Sequence, residues 1–175
     1  MTTHPLLQKF TAEELGVLYL VPFWVFYQVA GSDSIFDEQE TEAFQSMLDT
    51  APNLKDEFCR AVFMDMNASF IDILHRAKND PQRAYQGLRE AATILDSKLP
   101  PQIGTEFKTM VFVMGWNVAS ASGDFSDTGE GSNISSEEIE NLVMVAEVFG
   151  LNFPKLQRII TSNQGDKVWS SFLAE

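Results

Sequence analysis

Apolar residues recur at helical spacing over most of the chain, whereas the alternation that marks a half-buried strand is scarce. Thr11 and Glu14 have the spacing of a capping box, in which a hydroxyl and a carboxylate bond the free backbone N–H groups at a helix start. A first helix is therefore predicted over Ala12–Ala30. Because proline lacks an N–H and clashes with the preceding turn, we expect Pro22 to kink or restart this helix near Val21.

Proline, glycine and N-cap residues separate the helices that follow. A second helix is predicted from around Asp37 to before Pro52, and the periodic stretch 54–78 forms one helix or, if divided at 67–69, two. Further helices are predicted after Asp80-Pro81 to about residue 97, from about 103 to 121, from 136 to 149, from near 152, and after 166. The pattern thus predicts an all-α bundle of seven or eight helices, in one domain spanning residues 1–175.

Two parts of the chain, about residues 12–52 and 103–160, repeat the same order of residues. In each, a helix ends in Val-Ala, a turn carries aspartate, and an apolar residue is followed four positions later by glutamate at the start of another helix. The glutamates are Glu40 and Glu138. The second turn is nine residues longer than the first, although connections in bundles usually take about two to eight residues in all. The expansion therefore needs an explanation of its own.

Composition places the chain among ordinary globular domains. A chain of 175 residues with 45% hydrophobic content can bury a proper core. The single cysteine, Cys59, is expected to be a core thiol and cannot form an internal disulfide, and no secretory pattern opens the chain, so a cytoplasmic location is expected. The most apolar run, 15–27, contains Pro22 and is shorter than the roughly 20 residues that cross a bilayer, so no membrane span is predicted.

Negative charge is concentrated in two segments. Residues 10–53 hold eight acidic residues and residues 109–154 hold seven, and neither segment has a lysine or an arginine. The net charge of −13 excludes nucleic acid as the expected partner, because its binding depends on basic side chains that neutralise phosphates. Cations or a basic protein are the expected partners. These two segments also contain the two repeated turns.

The repeated pattern resembles the TerB-like tellurite-resistance family. The first copy is Val-Ala-Gly-Ser-Asp33-Ser-Ile-Phe-Asp-Glu-Gln-Glu40, and the second runs from Val-Ala-Ser-Ala-Ser-Gly-Asp124 through Ile134-Ser-Ser-Glu-Glu138. The resemblance covers about residues 12–160. It implies a small all-helical domain with two pseudo-symmetric halves and a role in tellurite and other stress responses.

The resemblance also implies a divalent-metal site on the acidic turns. Its ligands would be Asp33, Glu40, Asp124, Asp127 and Glu138. The sequence departs from the family pattern at Ser34, where glycine is usual. The long second turn leaves its motif aspartate open between Asp124 and Asp127.

The two glutamates have a second interpretation as helix caps. Asp37 with Glu40, and Ser135 with Glu138, have capping-box spacing, which alone would account for both glutamates. Capping does not account for the aspartates of the turns. Carboxylates in a turn rich in glycine and serine provide the oxygen ligands that Ca²⁺ and Mg²⁺ prefer. Those two cations are therefore the favoured ligands.

The second turn has the length of an EF-hand loop without its full ligand set. Residues 127–138 span twelve positions, with aspartate first and glutamate last. Gly129 and Gly131 provide no side-chain ligand at positions three and five, and Ser132 stands where glycine is required. A looser, exposed cation site is favoured over an EF-hand.

No motif for catalysis was found: the chain has no nucleophile elbow, P-loop or zinc-protease signature. The sequence predicts a non-catalytic, stress-related module whose acidic turns bind divalent cations or a partner protein. Two alternatives stay open: a carboxylate-held metal that activates water for hydrolysis, and a hydrophobic-ligand pocket lined by the aromatic run 23–27. The absence of histidine from both acidic segments favours the binding module. The oligomeric state is open, a homodimer included.

Overall fold

The computed structural model describes residues 4–30, 38–79, 83–121, 134–163 and 165–174, and over these ranges the chain is all-α. The bounds of the helices are α1 Ala12–Ala30, α2 Glu38–Asp49, α3 Glu57–Ala68, α4 Phe70–Asn79, α5 Ala84–Lys98, α6 Pro101–Ala121, α7 Ser136–Phe149, α8 Phe153–Asn163 and α9 Gly165–Ser170. The predicted fold class is confirmed. The described ranges hold nine α-helices rather than seven or eight, because the stretch 54–78 forms two.

Local sequence signals explain most of these boundaries. Ser69 caps α3 and separates it from α4 at the predicted break. The C-cap of α7 is Gly150 with φ of 66°, a left-handed conformation that glycine adopts without steric cost. Helix α6 begins at Pro101, two residues before the predicted start, because proline is well tolerated at the first helical position.

Helix α1 runs without interruption through Pro22, so the restart near Val21, one of two predicted outcomes, is wrong, while the kink stays a prediction. Most side chains of its second half are buried, including Val21, Phe23 and Val25. Packing of these side chains stabilises the helical backbone on both sides of the proline. Tertiary contacts therefore outweigh the one backbone hydrogen bond that proline removes.

Helices α1 and α6 form the centre of the bundle and pack directly on each other. Helix α2, which comes after α1, packs along α6, and its Phe44 also contacts α1, while α7, which comes after α6, packs against both α1 and α6. Helix α5 covers another side of α1, and α9 packs on α6. The helix that follows each acidic turn thus rests on the central pair of helices.

The aromatic run of α1 belongs to the core. Phe23 and Phe26 contact Phe44 of α2, with ring centroids 5.2 Å and 5.0 Å apart, and Phe23 also contacts Phe70 of α4 at 5.4 Å. Rings in such edge-on and stacked pairs stabilise a core beyond the area they bury. Among the described helices, none has the length and apolar content needed to cross a membrane.

Candidate functional site

Two of the five predicted ligands lie within the described residues, and both are buried. Glu40 has 4% of its surface exposed and Glu138 has 7%. The other three, Asp33, Asp124 and Asp127, lie outside the described residues. A buried carboxylate is costly unless hydrogen bonds or opposite charge compensate for lost hydration, so the burial of both glutamates requires a reason.

Glu138 is held at the start of α7 by a complete capping box. Its carboxylate Oε2 accepts a hydrogen bond from the backbone N–H of Ser135 at 2.6 Å, and its own N–H donates to Ser135 Oγ at 3.2 Å. Ser135 has extended backbone, as an N-cap residue should. The capping interpretation of Glu138 is confirmed, and it fixes the carboxylate at the end of the second acidic turn.

Glu40 occupies the same helical position as Glu138. Each is the third residue of its helix, in α2 and α7 respectively. The sequence repeat therefore corresponds to a structural equivalence at these two residues. Asp37, the predicted capping partner of Glu40, lies outside the described residues.

Glu40 lies one helical turn before a side chain that packs on the second half of α1. This side chain is Phe44, whose ring stacks on Phe26 with centroids 5.0 Å apart and an interplanar angle of 24°. Because residues four apart share a face of a helix, Glu40 and Phe44 are on the same side of α2. The first acidic turn therefore enters a helix that is fixed to the second half of α1.

Glu138 has a matching relation to α1 through Leu142, which follows it by four residues. Leu142 lies beside Gly115 of α6, where a methyl group added in place of the glycine hydrogen would be 3.5 Å from Leu142 Cδ2 and 2.7 Å from Val25 Cγ1. Helices α1, α6 and α7 therefore meet around Gly115. Glu40 thus stands one turn before a residue that contacts Phe26, and Glu138 one turn before a residue beside Gly115, which faces Val25.

A third capping box, at the start of α1, provides an internal reference. Glu14 Oε2 accepts from Thr11 N–H at 2.7 Å, and Glu14 N–H donates to Thr11 Oγ1 at 3.2 Å, as in the box of Glu138. The Glu14 side chain is 22% exposed and pairs with Lys98 Nζ at 2.8 Å. Its hydrogen bond to Lys98, followed by that from Thr11 N–H, lowers the pKa of Glu14. Capping by glutamate thus does not require the burial seen at Glu138.

Within the described ranges, no three His, Cys, Asp or Glu side chains come together in a group that could hold a metal ion. The predicted cation site therefore depends on the turn aspartates together with the two glutamates. Carboxylate oxygens suit a hard cation such as Ca²⁺ or Mg²⁺. The two histidines, His4 and His75, are outside both acidic segments, which leaves oxygen as the only ligand type expected there.

Two buried polar residues of α6 were missed by the sequence interpretation. Lys108 is 5% exposed and donates from Nζ to Asp96 Oδ1 at 2.6 Å. Asn117 is 9% exposed and lies beside Met47. A lysine and an asparagine within a long apolar helix were the available signals, because such residues are rarely buried without a partner.

The free thiol of Cys59 is unsuited to nucleophilic chemistry. Its side chain is fully buried, and burial raises its pKa well above the usual range, helped by the nearby carboxylates of Asp56 and Glu106. A thiol attacks substrates as the thiolate, which this environment disfavours. The prediction that Cys59 is a core residue is confirmed by its position in the main apolar cluster.

Comparison with models of known protein families, with curated proteins and with solved structures finds no match to this chain.

Proposed function

We propose that this protein is a cytoplasmic, non-catalytic binding module, related in role to TerB-like stress-response proteins, whose two acidic turns bind a divalent cation. Ca²⁺ and Mg²⁺ are the favoured ions. The observation that carries the proposal is the matched pair of buried glutamates, Glu40 and Glu138, at the third position of two equivalent helices. Both helices pack near the second half of α1, since Phe44 of α2 stacks on Phe26 and Leu142 of α7 lies beside Gly115 of α6, which faces Val25.

Electrostatics supports a cation at these turns. The two segments carry eight and seven acidic residues with no lysine or arginine among them, so their mutual repulsion opposes folding. A bound divalent ion would reduce this repulsion. Charge alone is common on protein surfaces; burial of the two matched glutamates distinguishes this arrangement from a solubilising surface.

The packing of α2 and α7 on the central pair of helices favours one shared binding region over two separate sites. Because α2 rests on α6 and α7 rests on α1, the two acidic turns enter helices that belong to one packed unit. We assign carboxylates from both turns to the same ion or to the same basic surface of a partner protein. The long second turn, with its glycines and serines, would provide further oxygen ligands.

The test is isothermal titration of the EDTA-treated protein with Ca²⁺, Mg²⁺, Mn²⁺ and Zn²⁺ in separate runs. Glu40→Gln and Glu138→Gln should each weaken binding of the favoured ion about tenfold or more, because each removes a charge from the site while nearly preserving shape. The double variant Asp33→Asn with Asp124→Asn should abolish the heat of cation binding.

Glu42→Gln and Glu140→Gln are matched controls, since each changes an exposed glutamate two residues further along the same helix. They should leave affinity within about twofold, as expected for a screened surface charge. Absence of heat with all four ions would overturn the cation proposal. Only a version in which the acidic turns present a surface to a basic protein would then stand.

A further inference from the structure

A solvent-open cleft of about 420 Å³ lies between α2, the end of α6 and the C-terminal residues around α9. Its walls include Met47, Thr50, Asn117, Ser120, Trp169 and Leu173. Sites for small molecules commonly have volumes of about 300 to 1,000 Å³, with apolar walls and a few polar groups that orient the ligand. The cleft has this size, and its walls combine apolar and polar residues in similar proportion.

Asn117 is the polar group that the rest of the fold does not explain. Only 9% of its surface is exposed, and its Nδ2 donates to Met47 Sδ at 3.6 Å. A thioether sulfur is a weak acceptor. Among the described residues no group donates a hydrogen bond to Asn117 Oδ1, and the amide lines the cleft. A buried amide with so few hydrogen bonds destabilises the fold unless a ligand or water completes them.

The indole of Trp169, which also borders the cleft, is held in place by hydrogen bonds. Trp169 Nε1 donates to Thr50 Oγ1 at 3.0 Å, and Thr50 Oγ1 donates in turn to Met47 O at 2.7 Å. The indole is 6% exposed. Its donor is therefore used inside the protein, and the ring provides the cleft with a fixed apolar surface.

Among the described residues, none of those that line the cleft carries a charge. Apart from Asn117, their polar groups are hydroxyls, and Ser120 Oγ already donates to Trp116 O at 2.9 Å, which leaves it as an acceptor towards the cleft. A charged ligand would lose hydration here without a counter-charge. In a protein of net charge −13, an uncharged cleft favours an uncharged ligand.

We infer that the cleft binds an uncharged, planar small molecule with an amide edge, such as a nucleobase or an aromatic carboxamide. The Asn117 amide has one donor group and one acceptor oxygen side by side, and an amide edge on the ligand matches both. The same pairing underlies asparagine recognition of base edges. The exposed edge of Trp169 gives the ligand an apolar contact. This binding is independent of the acidic turns and of any cation.

Ligand-observed NMR and Trp fluorescence with nicotinamide and uracil as probes, and nicotinate as the charged counterpart, test this inference. Nicotinamide and uracil should bind, and nicotinate should bind at least about tenfold more weakly than nicotinamide, because its carboxylate lacks the donor and carries charge. Asn117→Leu, of similar volume, should weaken nicotinamide binding about tenfold or more. Equal affinity for nicotinamide and nicotinate, or no binding of either neutral probe, overturns the inference.

Two further variants keep the test informative if Asn117→Leu folds poorly. Ser46 is exposed at the rim of the cleft, so Ser46→Trp should block binding without disturbing the core. Gln28→Met is the control, because Gln28 is the residue that matches Asn117 in the sequence repeat and does not line the cleft. Binding that survives Ser46→Trp, or that Gln28→Met reduces as much as Asn117→Leu does, places the probe elsewhere and overturns the inference.

Discussion

The two central helices, α1 and α6, occupy equivalent places in the sequence repeat but are not alike where they meet. At their contact α6 has Gly115, whereas the matching residue of α1 is Phe26. Gly115 leaves room for Val25 and Val29, and two bulky residues could not share that space. The two halves are thus equivalent at the start of the helix that follows each turn. They differ where α1 and α6 contact each other, because only one of the two helices can have a bulky residue there.

The largest expected effect comes from filling that volume. Gly115→Ala should lower the free energy of unfolding by about 2 kcal/mol, because its Cβ would lie 2.7 Å from Val25 Cγ1 in a core that cannot shift freely. Urea denaturation followed by circular dichroism measures the change.

Gly104→Ala in the same helix is the control. Its Cβ would have Leu95 O and Leu99 Cβ as nearest atoms at 3.8 and 4.0 Å, which is ordinary contact. This variant should gain up to about 1 kcal/mol from the higher helix propensity of alanine. If Gly115→Ala is as stable as Gly104→Ala, the close contact between α1 and α6 does not exist in solution.

The next largest effect concerns the starts of α2 and α7. Glu138→Ala should lower the free energy of unfolding by about 1 kcal/mol, since the N–H of Ser135 loses its acceptor at the helix start. Glu40→Ala should lower it by a similar amount if the first half uses the same helix start. Both are measured by urea denaturation in EDTA, which separates capping from cation binding.

Glu140→Ala and Glu42→Ala, at exposed positions on the same helices, should change the free energy of unfolding by less than about 0.5 kcal/mol. An equally small effect of Glu40→Ala beside a large effect of Glu138→Ala would show that the two halves start their second helices differently.

The smallest effect is a pH dependence at the start of α1. The folded-state pKa of Glu14 lies below its ordinary value of 4.5 because of Lys98 and the N–H of Thr11. A lowered acid pKa stabilises the fold above the unfolded-state pKa, and that contribution is lost as the pH falls through the folded-state value. Lys98→Met should therefore reduce the loss of stability measured by urea titrations below pH 4.5.

Lys167→Met, at an exposed lysine of α9, is the control for that experiment and should keep the wild-type dependence of stability on pH. If Lys98→Met also keeps the wild-type dependence, Lys98 does not pair with Glu14 in solution. The counterpart helix α6 starts at Pro101 without a capping glutamate, so no comparable pH dependence is expected there.

Local signals predicted much of the fold. The bounds of α7 follow from Ser135 and Gly150, and the break between α3 and α4 follows from Ser69. The restart predicted at Pro22 does not occur, because the contacts that keep α1 continuous come from other helices. The packing of α2 along α6 and of α7 against α1 also depends on such distant contacts, which no window of sequence contains.

The candidate site was predictable only in part for the same reason. The boxes of Glu14 and Glu138 have the same spacing and the same hydrogen bonds, yet one carboxylate is partly exposed and the other is buried. The sequence predicts the hydrogen bonds because they are local, whereas burial depends on what the rest of the chain brings alongside. The cleft around Asn117 escaped prediction because its walls come from three distant parts of the chain.

The packing of α2 along α6 has a consequence for how the chain folds. Met47 and Asn117 are 70 residues apart in sequence, so a long loop must close before α2 completes its contacts with α6. Contacts of this range slow folding, because the entropy of loop closure is lost before the contact forms. A nascent chain that has emerged only as far as α5 would hold α2 without its surface on α6, and would depend on the later helices to bury that face.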